Sequence, residues 1–233
     1  MLKLDHVVYF TEKTPVEVVK EQEILGWHAV IGGQHENWGT QNALMYMRNA
    51  YIEWLSVEHV ETAKNSNHQL VELLLGDLLK GEAWGTVCFA VRGIDRFNDK
   101  VIEKGYRTSG VLDAKRKTVA GNIRKWKMLF IEQAPSDCLP LPFFIEWEKE
   151  DVARFEELRI DGTILPDNEK LEVTECLFSV DDPVIAATEW GALLSAEVSK
   201  ENSVKLQNII LKFVEKEYRD SRERLTEVVI EHL

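Results

Sequence analysis

The chain has 233 residues, of which 45% are hydrophobic and 29% charged, and a net charge of −12. This length and composition suit a globular protein of one large domain or two small ones. The acidic balance excludes general nucleic-acid binding, which needs clustered Lys and Arg, and no run of about 18 apolar residues exists to cross a membrane.

The N-terminus, MLKLDHVVYF, lacks the basic start, apolar run and small-residue cleavage site of a signal peptide. Cys88, Cys138 and Cys176 are scattered and odd in number. They fit reduced thiols, and with them a cytoplasmic location, better than a disulfide frame. No CxxC spacing offers a thiolate zinc site.

Leu2 to Phe10 reads as a strand rich in Val, Tyr and Phe. Thr14-Pro15-Val16-Glu17 then forms a capping box with Pro in the first helical turn, and Gly26 is placed to end that helix. Three further strands are expected at Trp27–Ile31, Asn42–Met47 and Tyr51–Val57, with glycines between them. The order is βαβββ. A Leu-rich helix, Leu70 to Leu79, belongs to the connector. It is apolar enough to cover a sheet or to meet a second subunit in a homodimer.

The pattern returns with a strand at Thr86–Val91, a helix opened by Gly93 and closed by Gly105, and strands around Ser109–Leu112, Ile123–Ile131 and Phe143–Trp147. A charged linker with a helix through Val152–Leu158 follows. A third, weaker copy has a strand at Val173–Val180 and Asp182-Pro183 as a helix cap, with Gly191 ending a short helix. Strands are expected near Leu193–Val198, Val204–Val214 and Leu225–Ile230. The fold class is therefore α+β, with tandem βαβββ modules pairing into a curved mixed sheet around a cleft. The first domain covers 1–150, its modules at about 1–60 and 84–150, and a partial third module covers 169–233.

Two copies of Ile-Glu-Trp, at 52–54 and 145–147, carry the candidate chemistry. His6 on the first strand with Glu53 and Glu146 on the last strands is a sensible donor set for Mn, Fe, Ni, Co or Zn. Alternatively a buried Glu acts as a general base, or each acid is simply paired with a neighbouring cation. The segment Gly32 to Asn42 reads as a loop folded over the cleft mouth, or as a plain turn. In the first case His35 serves as acid, base or extra ligand, and Trp38, Thr40 and Asn42 touch the substrate. Trp54 and Trp147 are core residues or aromatic pocket walls. Lys115-Arg116-Lys117 and Arg124-Lys125-Lys127 are a solvated face or a site of anion capture. GxSxG, P-loop and dinucleotide motifs are absent.

Leu4-Asp5-His6-Val7-Val8-Tyr9-Phe10, Gly32-Gly33-Gln34-His35, Trp38-Gly39-Thr40-Gln41-Asn42-Ala43-Leu44 and Tyr51-Ile52-Glu53-Trp54-Leu55 together resemble the vicinal oxygen chelate superfamily, in particular its glyoxalase-like domain proteins. The resemblance covers roughly residues 1 to 150. It implies paired modules around a shared cleft and a divalent metal held by His6, Glu53 and Glu146. The fourth position falls near Thr86, with Val87-Cys88-Phe89 aligned with Val7-Val8-Tyr9. Thr is a poor transition-metal ligand, which departs from the four-ligand pattern. The function implied is a small-molecule enzyme of lyase, isomerase or dioxygenase type, acting on a substrate with adjacent oxygens, with Glu146 or His35 moving the proton. The alternative is a metal-free protein that sequesters a ligand, as bleomycin-resistance proteins do.

Overall fold

In the computed structural model the backbone is described for residues 2–117, 123–134, 136–218 and 221–233. The side chains of Arg116 and Lys117, part of the basic segment noted above, lie outside the described residues.

The first module runs β1 (Lys3–Phe10), α1 (Pro15–Ile24), β2 (Val30–His35), β3 (Thr40–Tyr46) and β4 (Tyr51–Val57). Thr14 starts α1 as expected. Its side chain accepts from Glu17 N, and the Glu17 carboxylate accepts from Thr14 N at 2.8 Å. A connector holds α2 (Val60–Lys64) and α3 (Gln69–Leu78). The second module follows with β5 (Ala83–Ala90), α4 (Ile94–Glu103), β6 (Thr108–Lys117), β7 (Ile123–Ile131) and β8 (Phe143–Trp147). Then come α5 (Asp151–Ile160) and the C-terminal unit, made of β9 (Leu171–Val180), α6 (Pro183–Leu194), β10 (Ser203–Lys205), β11 (Ile210–Glu215) and β12 (Arg224–His232).

The two modules form one eight-stranded sheet in the order β2-β3-β4-β1-β5-β8-β7-β6. Their first strands, β1 and β5, pair antiparallel at its centre, and each pairs parallel with the last strand of its own module. One face joins the C-terminal unit in a continuous core that includes Leu4, Val7, Phe89, Phe144, Phe178 and Trp190. The opposite, concave face receives α3, whose Leu70 and Leu74 pack on Val8, Phe10, Leu55 and Phe143. Each such fully buried Leu contributes about 1.5–3 kcal/mol. The Leu-rich helix is thus a cover for the sheet of its own chain. Farther along the same face, Leu158 of α5 packs with Leu44, Tyr46 and Tyr51. Part of this face stays open beside α3.

The C-terminal unit has the sheet order β10-β11-β9-β12. β9 runs parallel to β11 and antiparallel to β12. This repeats the arrangement β4-β1-β5, with β12 in the place that the neighbouring module's first strand holds in the large sheet. The third copy is partial in this sense. Its helix does not stop at Gly191, and the strand expected at Leu193–Val198 does not form. A Cβ on Gly191 would lie 2.5 Å from the Val198 side chain, so the glycine serves close packing. Ser195, at φ 54, ends α6 instead. The two units are further joined through Asp77 of α3, whose carboxylate accepts two hydrogen bonds of 2.9 Å from the buried Arg224.

Candidate active site

The open part of the concave face is a narrow cavity of about 60 Å³, bordered by His6, Glu53, Asn42, Thr40, His35 and the rings of Trp38, Tyr46, Tyr51, Trp126 and Trp147. Strand alternation accounts for most of this set. Position 6 of β1 and positions 51, 53 and 55 of β4 share one face, with His6 beside Tyr51 and Val8 beside Glu53.

Two tripeptide residues that look equivalent to site residues are not. Glu146 lies on the opposite face of β8, where its carboxylate accepts from Gly93 N at 2.6 Å and Ile94 N at 3.0 Å. It caps α4, and the expectation that it ligates a metal or moves a proton in the cleft is corrected. Trp54 is also on the far face, packed against the main core rather than the cavity. The register explains both. His6 lies opposite Cys88 and Val8 opposite Thr86, which makes Thr86 the counterpart of His6. Val8 lies beside Glu53 as Cys88 lies beside Phe143, which makes Phe143 the counterpart of Glu53. Glu146 is an odd number of positions farther on, and an odd step along a strand changes face.

Gly32 and Gly33 are not in a loop. They lie in β2 at a bulge between Ile31 and Gln34. A Cβ on Gly32 would come within 2.0 Å of Asn42 Oδ1, so only glycine admits Asn42 here. Asn42 Oδ1 accepts from Gly33 N at 2.8 Å, and its amide donates to Glu53 Oε1. His35 Nδ1 and Thr40 Oγ1 share a hydrogen bond of 2.9 Å at the rim.

The centre of the site is a chain of buried charges. His6 Nδ1 donates to Asp5 Oδ1 at 2.8 Å, and His6 Nε2 lies 3.4 Å from Glu53 Oε2. Its ring stacks on Tyr51 with centroids 4.5 Å apart. Trp147 Nε1 donates to Asp5 Oδ2 at 2.9 Å, and Arg154 of α5 donates to the same oxygen at 3.3 Å. Arg154 is itself buried, with its guanidinium 4.5 Å over the Trp147 ring. Burial opposes the charge on Asp5, but Arg154, His6 and Trp147 overcome it and hold the carboxyl at about 2. Burial also opposes a charge on His6, yet Cys88 first, and then hydrogen bonds with Asp5 and Glu53, raise its pKa well above the ordinary value. Burial pushes the Cys88 thiol, opposite His6, up to about 12. Glu53 is lowered despite burial, by His6, His35 and Asn42. The result is carboxylate, imidazolium, carboxylate in sequence.

Asp5 and Arg154 are the site residues that sequence reading passes over. Alternation would place Asp5 and His6 on opposite faces. A register shift between Leu4 and His6 lets both serve one network. Arg154 comes from a helix outside either module. The one signal for the pair is the apolar setting of Asp5-His6.

A further histidine was not expected either. His68, just before α3, is buried between Trp38 at 4.0 Å and Phe130 at 4.7 Å between ring centroids. Neither of its ring nitrogens has a hydrogen-bond partner among the described residues. Burial first, and the charge of His35 second, push it down to about 4, so it is neutral at pH 7.

The donor set does not fit the chelate expected from the resemblance. His6 and Glu53 are two donors from one module. The second module offers Phe143, and Thr86, whose hydroxyl donates to Leu141 O at 3.3 Å. The carboxylate of Asp5 is taken by His6, Trp147 and Arg154. Among the described residues no three His, Cys, Asp or Glu side chains converge as a metal-binding group. No helix among them is long and apolar enough to cross a membrane.

A search of curated proteins found no match. Among solved structures, a hypothetical protein from Staphylococcus aureus is similar over 100% of this chain and 92% of its own, at 20% identity and a TM-score of 0.81. It shares the whole architecture, C-terminal unit included. A methylmalonyl-CoA epimerase from Mycobacterium tuberculosis is similar over 66% of this chain and 91% of its own, at 16% identity and a TM-score of 0.42. A hypothetical protein from Bacillus halodurans C-125 is similar over 64% of this chain and 96% of its own, at 16% identity and a TM-score of 0.44. The family profile described as Glyoxalase-like domain matches residues 4–194, and the chain therefore belongs to the glyoxalase-like domain family.

Proposed function

We propose that the protein is a small-molecule enzyme of acid–base type. Glu53, ionised, takes a proton from a carbon next to a carbonyl. The imidazolium of His6 hydrogen-bonds the carbonyl oxygen as it gains charge, and the proton returns from Glu53 to carbon in the product. Asp5 holds the His6 ring and sustains its charge. The observation that carries this reading is the chain Asp5–His6–Glu53 at the wall of the cavity. Burying ionised groups costs several kcal/mol each, and strongly perturbed groups in a cleft concentrate at functional sites. The narrow cavity admits a small reacting head, and the three tryptophans give it flat apolar walls.

The test is proton exchange in D2O, followed by NMR, across a panel of small 2-keto acids, 2-hydroxy ketones and 1,2-dicarbonyls. Wild-type protein should exchange the carbon-bound proton of at least one class. Glu53→Gln should lower that rate by about 10²–10⁴-fold, the usual scale for a lost general base. Equal rates in Glu53→Gln, or no exchange across the panel, overturn the proposal.

The aromatic walls favour a second reading, sequestration of a planar ligand. It expects ligand-induced thermal stabilisation that persists in Glu53→Gln.

A further inference from the structure

A groove of about 650 Å³ runs between α4 and the C-terminal unit, away from the cleft. Arg92, Arg96, Lys100 and Lys104 stand along it on the α4 side, and Lys205 at the end of β10 stands on the other. No Asp or Glu is among its lining residues. In a chain of net charge −12 this is a local reversal of sign.

The helix sorts its charges. Arg96 and Lys100 of α4 and Lys104 at its C-cap recur at every fourth position and share one face, and Arg92 lies just before the helix. Asp95, Asp99 and Glu103 follow the same spacing on a neighbouring face, and Asp95 there accepts from Lys127 at 2.8 Å. Like charges four apart on a helix repel, and a solvated helix surface ordinarily mixes the signs. Two of the cations are engaged. Arg92 is bidentate on Glu150, and Lys104 donates to Ala192 O at 2.6 Å and Leu193 O at 2.9 Å, at the C-terminus of α6. Arg96, Lys100 and Lys205 are exposed and make no ion pair among the described residues. Phe97, Ala196 and Leu206 are partly buried apolar residues on the groove wall.

We propose that this groove binds a small molecule carrying two or more linked phosphate groups, held by Arg96, Lys100 and Lys205, with its apolar body over Phe97 and Leu206. Arg96 and Lys100 stand about 6 Å apart along the helix axis, a span that suits linked phosphates. Guanidinium forks match phosphate oxygens and lysines add point charge.

Calorimetric titration of the intact protein with inorganic pyrophosphate, ADP and inorganic phosphate tests this. Pyrophosphate and ADP should bind at least about tenfold more tightly than phosphate, and more weakly as salt rises. The double variant Arg96→Ala/Lys100→Ala, at two exposed positions, should lose about tenfold or more in affinity with an unchanged circular dichroism spectrum. Phosphate binding as tightly as pyrophosphate, or the double variant binding pyrophosphate as wild type does, overturns the proposal.

Discussion

Replacing His68 with Phe keeps a flat ring between Trp38 and Phe130 and removes two ring nitrogens that find no partner among the described residues. The native imidazole is held near 4, whereas an unfolded histidine titrates near 6.5. Below pH 6.5 the unfolded chain binds a proton that the native one refuses. Stability from His68 is therefore present above the unfolded value, and is lost as the pH falls toward the folded one. Between about pH 7.5 and about pH 5 the linkage relation gives a loss of about 2 kcal/mol from this residue. His68→Phe should abolish that loss. Urea unfolding of both proteins at the two pH values measures it as a double difference, in which every shared titration cancels. At the higher pH the variant should match or exceed wild type, because orphaned polar atoms have been removed. A stability gap that is the same at both pH values, within about 0.5 kcal/mol, would refute the reasoning, since the ring would then titrate as it does in the unfolded chain.

Two further substitutions probe the site from opposite sides. Glu146→Ala should cost about 1 kcal/mol in urea unfolding through the lost cap on α4, and should leave exchange in the cleft unchanged. A tenfold or greater loss of exchange, on the order of 1.4 kcal/mol, would restore Glu146 to the site. Gly32→Ala should displace Asn42 from Glu53, costing about 1–3 kcal/mol of stability and lowering exchange in the same D2O assay. Wild-type values of both would mean that the bulge accommodates a methyl group.

The modular architecture was legible because local signals agreed. The Thr14 capping box, the Gly26 stop and the strand-rich stretches each pointed to the observed elements. His6, Glu53, His35, Trp38, Thr40, Asn42 and Trp147 do border one cavity. The Ile-Glu-Trp repeat misled because a matching tripeptide does not fix register. Register is set by pairing between β1 and β4 and between β5 and β8, across connections whose lengths differ. A step of one residue then exchanges cleft for core. Arg154 was illegible for another reason. Helix α5 carries no module pattern, and nothing local to it tells which face of which sheet it will meet. The run through Gly191 failed at the level of packing, where a glycine that looked like a stop was a contact with Val198.

The position of β12 bears on how far such a chain can grow. In the large sheet, one module recruits another by presenting the edge of its first strand, and β5 docks there on β1. The equivalent edge of β9 is already occupied by β12, from Arg224 beside Ser179 to His232 beside Leu171. The C-terminal unit thus plugs its own socket. Duplication by first-strand pairing cannot continue through β9, and the edge of this sheet moves outward to β12 itself.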